Sequence, residues 1–259
     1  MRPEAWRVVP ATGAGRSVAR EGQRDAALDL LKWLALLGML LDHLRHVWQQ
    51  AIWVFVPGRT AFPFFCLIVA ANLARRRRQP QRRFAQMRYL GWLLLFALLS
   101  EWPYRLLVEY PASVNVLPTL ALGLLLANAA LQPYLPERLL GLAALALALW
   151  FDEELMFGAF GVLLPAAFVF ALDRRPRAWL LPAGVAVAAN ADGFSAVRMF
   201  GPLFVALVYG ACFAAPLFGL WLLRCSPAFP VAPLRRWAYA FYPGHFLMLY
   251  GLREWLFGS

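Results

Sequence analysis

The chain has 259 residues, of which 62% are hydrophobic and 15% charged, and its mean hydropathy is +0.58. A soluble domain does not carry that balance. Long apolar runs separated by short charged breaks describe a helical integral membrane protein. Only helices or closed barrels satisfy the backbone in lipid, and the period-two alternation of a barrel does not occur. A net charge of +11 also fits nucleic-acid binding, but the arginines lie between apolar runs and no DNA- or RNA-binding motif is found, so no nucleic-acid partner is expected. Cys66, Cys212 and Cys225 lack metal-ligand spacing and read as small buried hydrophobes, so no metal is expected.

Residues 1–26 are polar and arginine-rich, without the apolar core and small-residue cleavage site of a signal peptide. They read as a flexible basic cytoplasmic segment leading into one transmembrane domain, 27–259. With ~20 residues per crossing, the chain divides into about nine spans (eight to ten). Their limits are 28–48, 52–74, 89–108, 114–132, 138–151, 157–172, 178–190, 199–223 and 237–257. The fifth and seventh are short enough to be tilted or re-entrant. The expected fold class is therefore all-α, a polytopic membrane bundle. Arg7, Arg16, Arg20 and Arg24 precede the first span, Arg75–Arg78, Arg82, Arg83 and Arg88 follow the second, and Arg174, Arg175 and Arg177 follow the sixth. Arg224, Arg235 and Arg236 flank the ninth. All of these fall on one side, and Asp152, Glu153 and Glu154 on the other, which places the N-terminus in the cytoplasm and the C-terminus outside.

The first span carries Asp42, His43 and His46 within LDLLKWLALLGMLLDHLRHVWQQ, and ionisable groups at membrane depth default to function. Lys32 and His43 return to within about 20° of one helix face, roughly 16 Å apart along the axis. Lys32 can bind phosphate or merely snorkel at the span entrance; His43 can act as a base or as a hydrogen-bonder between helices. Asp42 and His46 share a face, and Arg45 is also in reach of Asp42. Asp42 and His43 point about 100° apart, so Asp42 needs a partner from another helix. In the second span, Pro57-Gly58-Arg59-Thr60-Ala61-Phe62-Pro63 interrupts the apolar run. Arg59 lies about 24 Å and His43 about 22 Å above the cytoplasmic edge, so Arg59 is expected to pair with Asp42, although an interfacial arginine reads the same way. Glu101 and Tyr104 in the third span, Asn115 and Thr119 in the fourth, and Tyr242 and His245 in the ninth recur at similar depth. Together they describe a polar chamber fed from the cytoplasm.

The blocks DLLKWLALLGMLLDHL, GRTAFPFF, SEWPY, NVLPTLALGLL and YAFYPGHFLMLY stand in the order and spacing of the TraX family. The chain resembles these pilin N-acetylation proteins of conjugative plasmids, TrbP-type relatives included, over roughly residues 29–250. The family is in turn similar to integral-membrane acyltransferases that carry an arginine and a histidine at the spacing of Lys32 and His43, with lysine here in place of arginine. The resemblance implies a multi-pass protein of the bacterial inner membrane that transfers acetyl from cytoplasmic acetyl-CoA to the N-terminal amine of a pilin subunit. It implies His43, with Asp42 and Arg59, at the catalytic centre. Lys32, Arg75, Arg76 and Arg78 would meet the coenzyme phosphates. Anionic lipid is the rival ligand of the same arginines. Arg59, Asn115 or Tyr242 would steady an oxyanion and Glu101 the acceptor ammonium. Two other readings stay open: a transporter or flippase using the buried charges as a proton relay, and a non-enzymatic factor that holds pilin in the bilayer.

Overall fold

The computed structural model describes residues 26–77, 82–191, 198–225, 227, 229–234 and 237–258. The N-terminal segment through residue 25, Arg78, Arg235 and Arg236 lie outside these, so the expectations placed on them are not addressed. Among the described residues every regular element is helical. They are α1 (Ala26–Leu44), a 3₁₀ segment (Gln49–Val54), the one-turn α2 (Phe55–Gly58), α3 (Ala61–Arg76), α4 (Arg82–Leu107), α5 (Leu117–Leu131) and α6 (Leu135–Trp150). Then come α7 (Gly158–Leu172), a 3₁₀ turn (Pro176–Trp179), α8 (Leu180–Ala188), α9 (Pro202–Arg224) and α10 (Trp237–Phe257).

The apolar runs become helices at the expected places, and the interruption expected at the prolines of the second is found. The second span is not continuous. Pro57 and Pro63 lack the N–H groups that a helix ladder needs, and the chain breaks into the 3₁₀ segment, α2 and α3. The seventh is also shorter than expected: α8 has nine residues, about 14 Å, which is roughly half the hydrocarbon thickness. Gln50–Arg76 and Pro202–Arg224 are long and apolar enough to cross a membrane.

Successive helices run in alternating directions. Arg224 at the end of α9 donates to the Arg174 carbonyl after α7, and Arg253 near the end of α10 donates to the Leu106 and Leu107 carbonyls that close α4. Lys32, Arg76, Arg88, Arg174 and Arg224 thus gather toward one end, and Glu109, Asp152 and Arg253 toward the other. One apolar core joins α1, α3, α4, α5, α7 and α10. The outward faces are also apolar: Leu98 is 78% exposed, Trp102 66% and Leu142 62%. Buried Ser100, Asn115, Thr119, Asn128 and His245 lie inside. Polar groups thus lie within and large hydrophobes outside.

Small residues let the helices approach. Gly123 on α5 receives the ring of Pro165 from α7, and a methyl on Gly123 would stand 2.8 Å from Pro165 Cγ. A methyl on Gly58 would stand 2.7 Å from Asp42 Cα, so α2 touches α1 backbone to backbone. Gly58→Ala is expected to destabilise the protein by about 1–3 kcal/mol through overpacking. Gly184, with open space around it on α8, is expected to gain about 0.5–1 kcal/mol as Gly184→Ala. Thermal melts of the two variants in detergent separate these outcomes.

Candidate active site: a histidine pair between two cavities

Asp42 and His43 end α1. The Asp42 carboxylate is bound by Nη2 of Arg59, and both side chains are largely buried. Nη1 of Arg59 donates to Asn190 Oδ1 at 3.2 Å, and the guanidinium lies 4.0 Å from the Phe55 ring centroid and 5.8 Å from that of Phe157. Two cation–π faces and an ion pair hold the charge. Arg59 Nε is buried without a hydrogen-bond partner. The pairing expected from helix depth is formed. Arg45 instead donates to the Asp42 backbone carbonyl at 3.1 Å, and the ring of His46 lies 6.3 Å from that of His43.

With Asp42 turned toward Arg59, His43 faces α10. Its Nδ1 is 2.8 Å from the Met39 carbonyl and 3.3 Å from Nε2 of His245, and His245 Nδ1 is 3.2 Å from the Phe241 carbonyl. Carbonyl oxygens only accept, so in the neutral pair both Nδ1 atoms carry hydrogen. His245 Nε2 is then the acceptor for His43 Nδ1–H, and the lone pair of His43 is on Nε2. No described protein group bonds that atom. His245 is 1% exposed and packs its ring 4.1 Å from that of Phe246. The arrangement is a base whose tautomer is set by the Met39 carbonyl, with a second, buried imidazole beside the same Nδ1.

His43 lines a cavity of about 450 Å³ together with Asp42, His46, Arg59, Tyr104 and Tyr242. Arg45, Asp152 and Glu153 line it too. Asp152 also accepts from the Ala159 N–H at 2.6 Å, capping α7 beside Phe157, whose φ of 69° is left-handed and whose ring stacks 4.0 Å from Phe62. A second cavity, about 420 Å³, runs toward the basic end past Trp92, Phe96 and Tyr239 to Lys32, Arg76 and Arg88. Met39, Phe65, Val116 and Tyr242 line both cavities. The two chambers thus meet one turn from the histidine pair.

The remaining sequence-selected residues are spread out. Lys32 lines the basic cavity but its ammonium is 2.9 Å from Asp29. Arg76 lines that cavity, whereas Arg75 is exposed and does not. Glu101 binds Arg105 at 2.7 Å and the Asn115 amide at 2.7 Å, and Asn115 Oδ1 accepts from Leu117 N–H at 3.1 Å. These two tie the start of α5 to α4 and line neither cavity. Thr119 donates to the Met156 carbonyl at 2.8 Å, outside both cavities. Sequence reasoning missed Asn190 and the aromatic wall. Asn190 carried a signal, a polar residue at the end of an apolar run. Trp92 and Tyr239 carried none apart from other aromatics, since their rings meet only in space, at 5.7 Å.

A profile of the TraX protein family matches residues 27–253. The chain belongs to the TraX family. It is 42% identical over 74 residues to Protein TraX of Escherichia coli, and 39% identical over 72 residues to Protein TraX of Escherichia coli strain K12. Each alignment spans 27% of this chain and 27% of the relative. No solved structure matches the chain.

Removing one partner of the Asp42–Arg59 pair leaves a buried charge alone. Asp42→Asn is expected to lower stability by about 3–5 kcal/mol, and adding Arg59→Met to recover most of the loss. A double-mutant cycle on thermal melts checks this; equal, additive losses would show that the pair is not the anchor.

Proposed function

We propose that this chain is a multi-pass protein of the bacterial inner membrane, N-terminus cytoplasmic, that transfers acetyl from acetyl-CoA to the N-terminal amine of a pilin-like subunit. The observation that carries the reading is the free Nε2 of His43 beside the junction of the two cavities. The basic cavity suits an anionic coenzyme entering from the cytoplasm, with its thioester arm running toward Tyr242. Asp152 and Glu153, on the wall of the histidine cavity, suit an amine-bearing acceptor arriving from the other side. The lipid-like exposure of the helices' outer faces, the two membrane-length helices and membership of the TraX family support the location.

The chemistry needs no protein nucleophile. The acceptor amine attacks the thioester carbonyl, and His43 Nε2 takes the proton that nitrogen gives up. As His43 becomes an imidazolium, its Nδ1–H bond to His245 Nε2 strengthens, because the donor is now charged. The tetrahedral intermediate collapses, the C–S bond breaks, and His43 returns its proton to the departing sulfur. The Tyr242 hydroxyl, on the wall common to both cavities, is the donor best placed for the oxyanion. Asn115 is occupied by Glu101, and Arg59 by Asp42.

His43→Ala is expected to reduce acceptor acetylation at least about 10²-fold while the protein still inserts. Intact-mass analysis of a co-expressed pilin-like subunit reads the first and membrane fractionation the second. Normal acetylation in that variant would sink the assignment. His245 lines neither cavity; it reaches His43 through Nε2 and acts as a positioning residue. His245→Leu is expected to lower kcat about tenfold at unchanged KM for acetyl-CoA, and His245→Gln, which restores an acceptor for Nδ1–H, to recover part of it.

A further inference from the structure

Where α3 ends against α4 and α5, a recess of about 20 Å³ opens beside the basic cavity and shares Asn72, Arg76 and Tyr89 with it. Arg77, Gln86, Asn128 and Gln132 complete its polar wall. Asn128 is 7% exposed and Gln132 8%, and they stand one helical turn apart. No described group hydrogen-bonds the side chains of Asn72, Gln86, Asn128 or Gln132, and Gln86 Nε2 is sealed from solvent without a partner. Neither Arg76 nor Arg77 has a carboxylate partner among the described residues. Their neighbours do: Arg83 is held by Glu137 at 2.8 Å and Lys32 by Asp29.

Buried amides left unbonded are disfavoured, and native proteins keep them where something else supplies the bonds. Here the unspent groups are four side-chain amides, each with an NH₂ donor, and two guanidiniums on one small volume. A ligand that accepts from all of them carries several oxygens and negative charge, and a phosphate does so better than a two-oxygen carboxylate. At about 20 Å³ the recess admits about one oxygen-sized group, with Arg76 and Arg77 also on its wall for the rest of the phosphate, and excludes rings.

We infer that this recess binds the terminal phosphomonoester of the acyl donor, the 3′-phosphate of coenzyme A. The coenzyme's identity rests on the acetyl-transfer reading; the phosphate chemistry rests on the recess. Asn72 and Arg76 lead from the recess into the basic cavity, so a phosphate held there leaves the rest of the donor in that cavity, with the thioester arm free to reach Tyr242. A phospholipid headgroup offers the same oxygens, and the test separates the two sources.

Protein in phosphatidylcholine nanodiscs is titrated calorimetrically with coenzyme A and with 3′-dephospho-coenzyme A. Wild type is expected to bind coenzyme A about tenfold or more tightly than the dephospho form, the worth of hydrogen bonds to a charged group. Asn128→Leu and Gln132→Leu are expected to abolish that preference, with unchanged affinity for the dephospho form. The ligand-free variants are expected to melt at the same temperature as wild type or higher, because an unbonded buried amide has been replaced by an apolar group. Arg77→Gln, on the exposed rim, is expected to weaken the preference without touching the packing. Equal binding of the two coenzymes by wild type, equal loss of both in the variants, or no coenzyme binding at all would overturn the inference. So would phosphatidylglycerol stabilising wild type through Asn128 while the 3′-phosphate is ignored. The acetyl-transfer reading fails by a different result, an acceptor left unmodified by protein that still discriminates the 3′-phosphate.

Discussion

A carboxylate and a guanidinium placed inside an apolar bundle have one stable arrangement, which is each other. The Asp42–Arg59 pair does more than cancel charge. It draws the end of α1 against the broken start of the second apolar run, where Gly58 allows backbone contact, and ties in the end of α8 through Asn190. Adjacent residues on a helix point about 100° apart, so pinning Asp42 toward Arg59 swings His43 toward α10. The orientation of the base therefore follows from an ion pair in which it takes no part. A lone charge at that depth is costly, so the pair also holds the local geometry against relaxation.

His43 and His245 convert that orientation into a defined protonation pattern. Two backbone carbonyls, from Met39 and Phe241, each require a hydrogen on the nearby Nδ1. They leave His43 with one accessible lone pair. Burial of His245 among Phe241, Tyr242 and Phe246 removes water that would otherwise compete for its Nε2. Met39 and Tyr242, each within one turn of the histidine pair, line both cavities.

Much of the bundle was legible in the sequence. Apolar runs, their lengths and the arginine-rich breaks between them are local quantities, and the helices lie where those runs lie. The break at Pro57–Pro63 was marked by its prolines. The Asp42–Arg59 pair was legible for a different reason: counting residues from the two span ends gives depth, and two opposite charges at equal depth have a strong incentive to meet. Glu101, Asn115 and Thr119 share that depth too, yet they fasten helix ends and a loop instead of facing a cavity. Depth places a residue along an axis and says nothing of the direction in which it points.

Direction around the axis is settled by packing. His43 and His245 are 202 residues apart in sequence and 3.3 Å apart in space, and nothing local to either specifies the other. The same holds for Asn72, Gln86, Asn128 and Gln132, which are ordinary amides in four places along the chain and one polar wall once α3, α4 and α5 are assembled. Composition and periodicity were enough to establish a helical chain with charge sorted to its two ends, because hydrophobic burial and backbone hydrogen bonding act residue by residue. Which side chains share a cavity depended on the rotation of each helix against its neighbours. That rotation is set by the steric fit of residues such as Gly58 and Gly123 against partners distant in the chain.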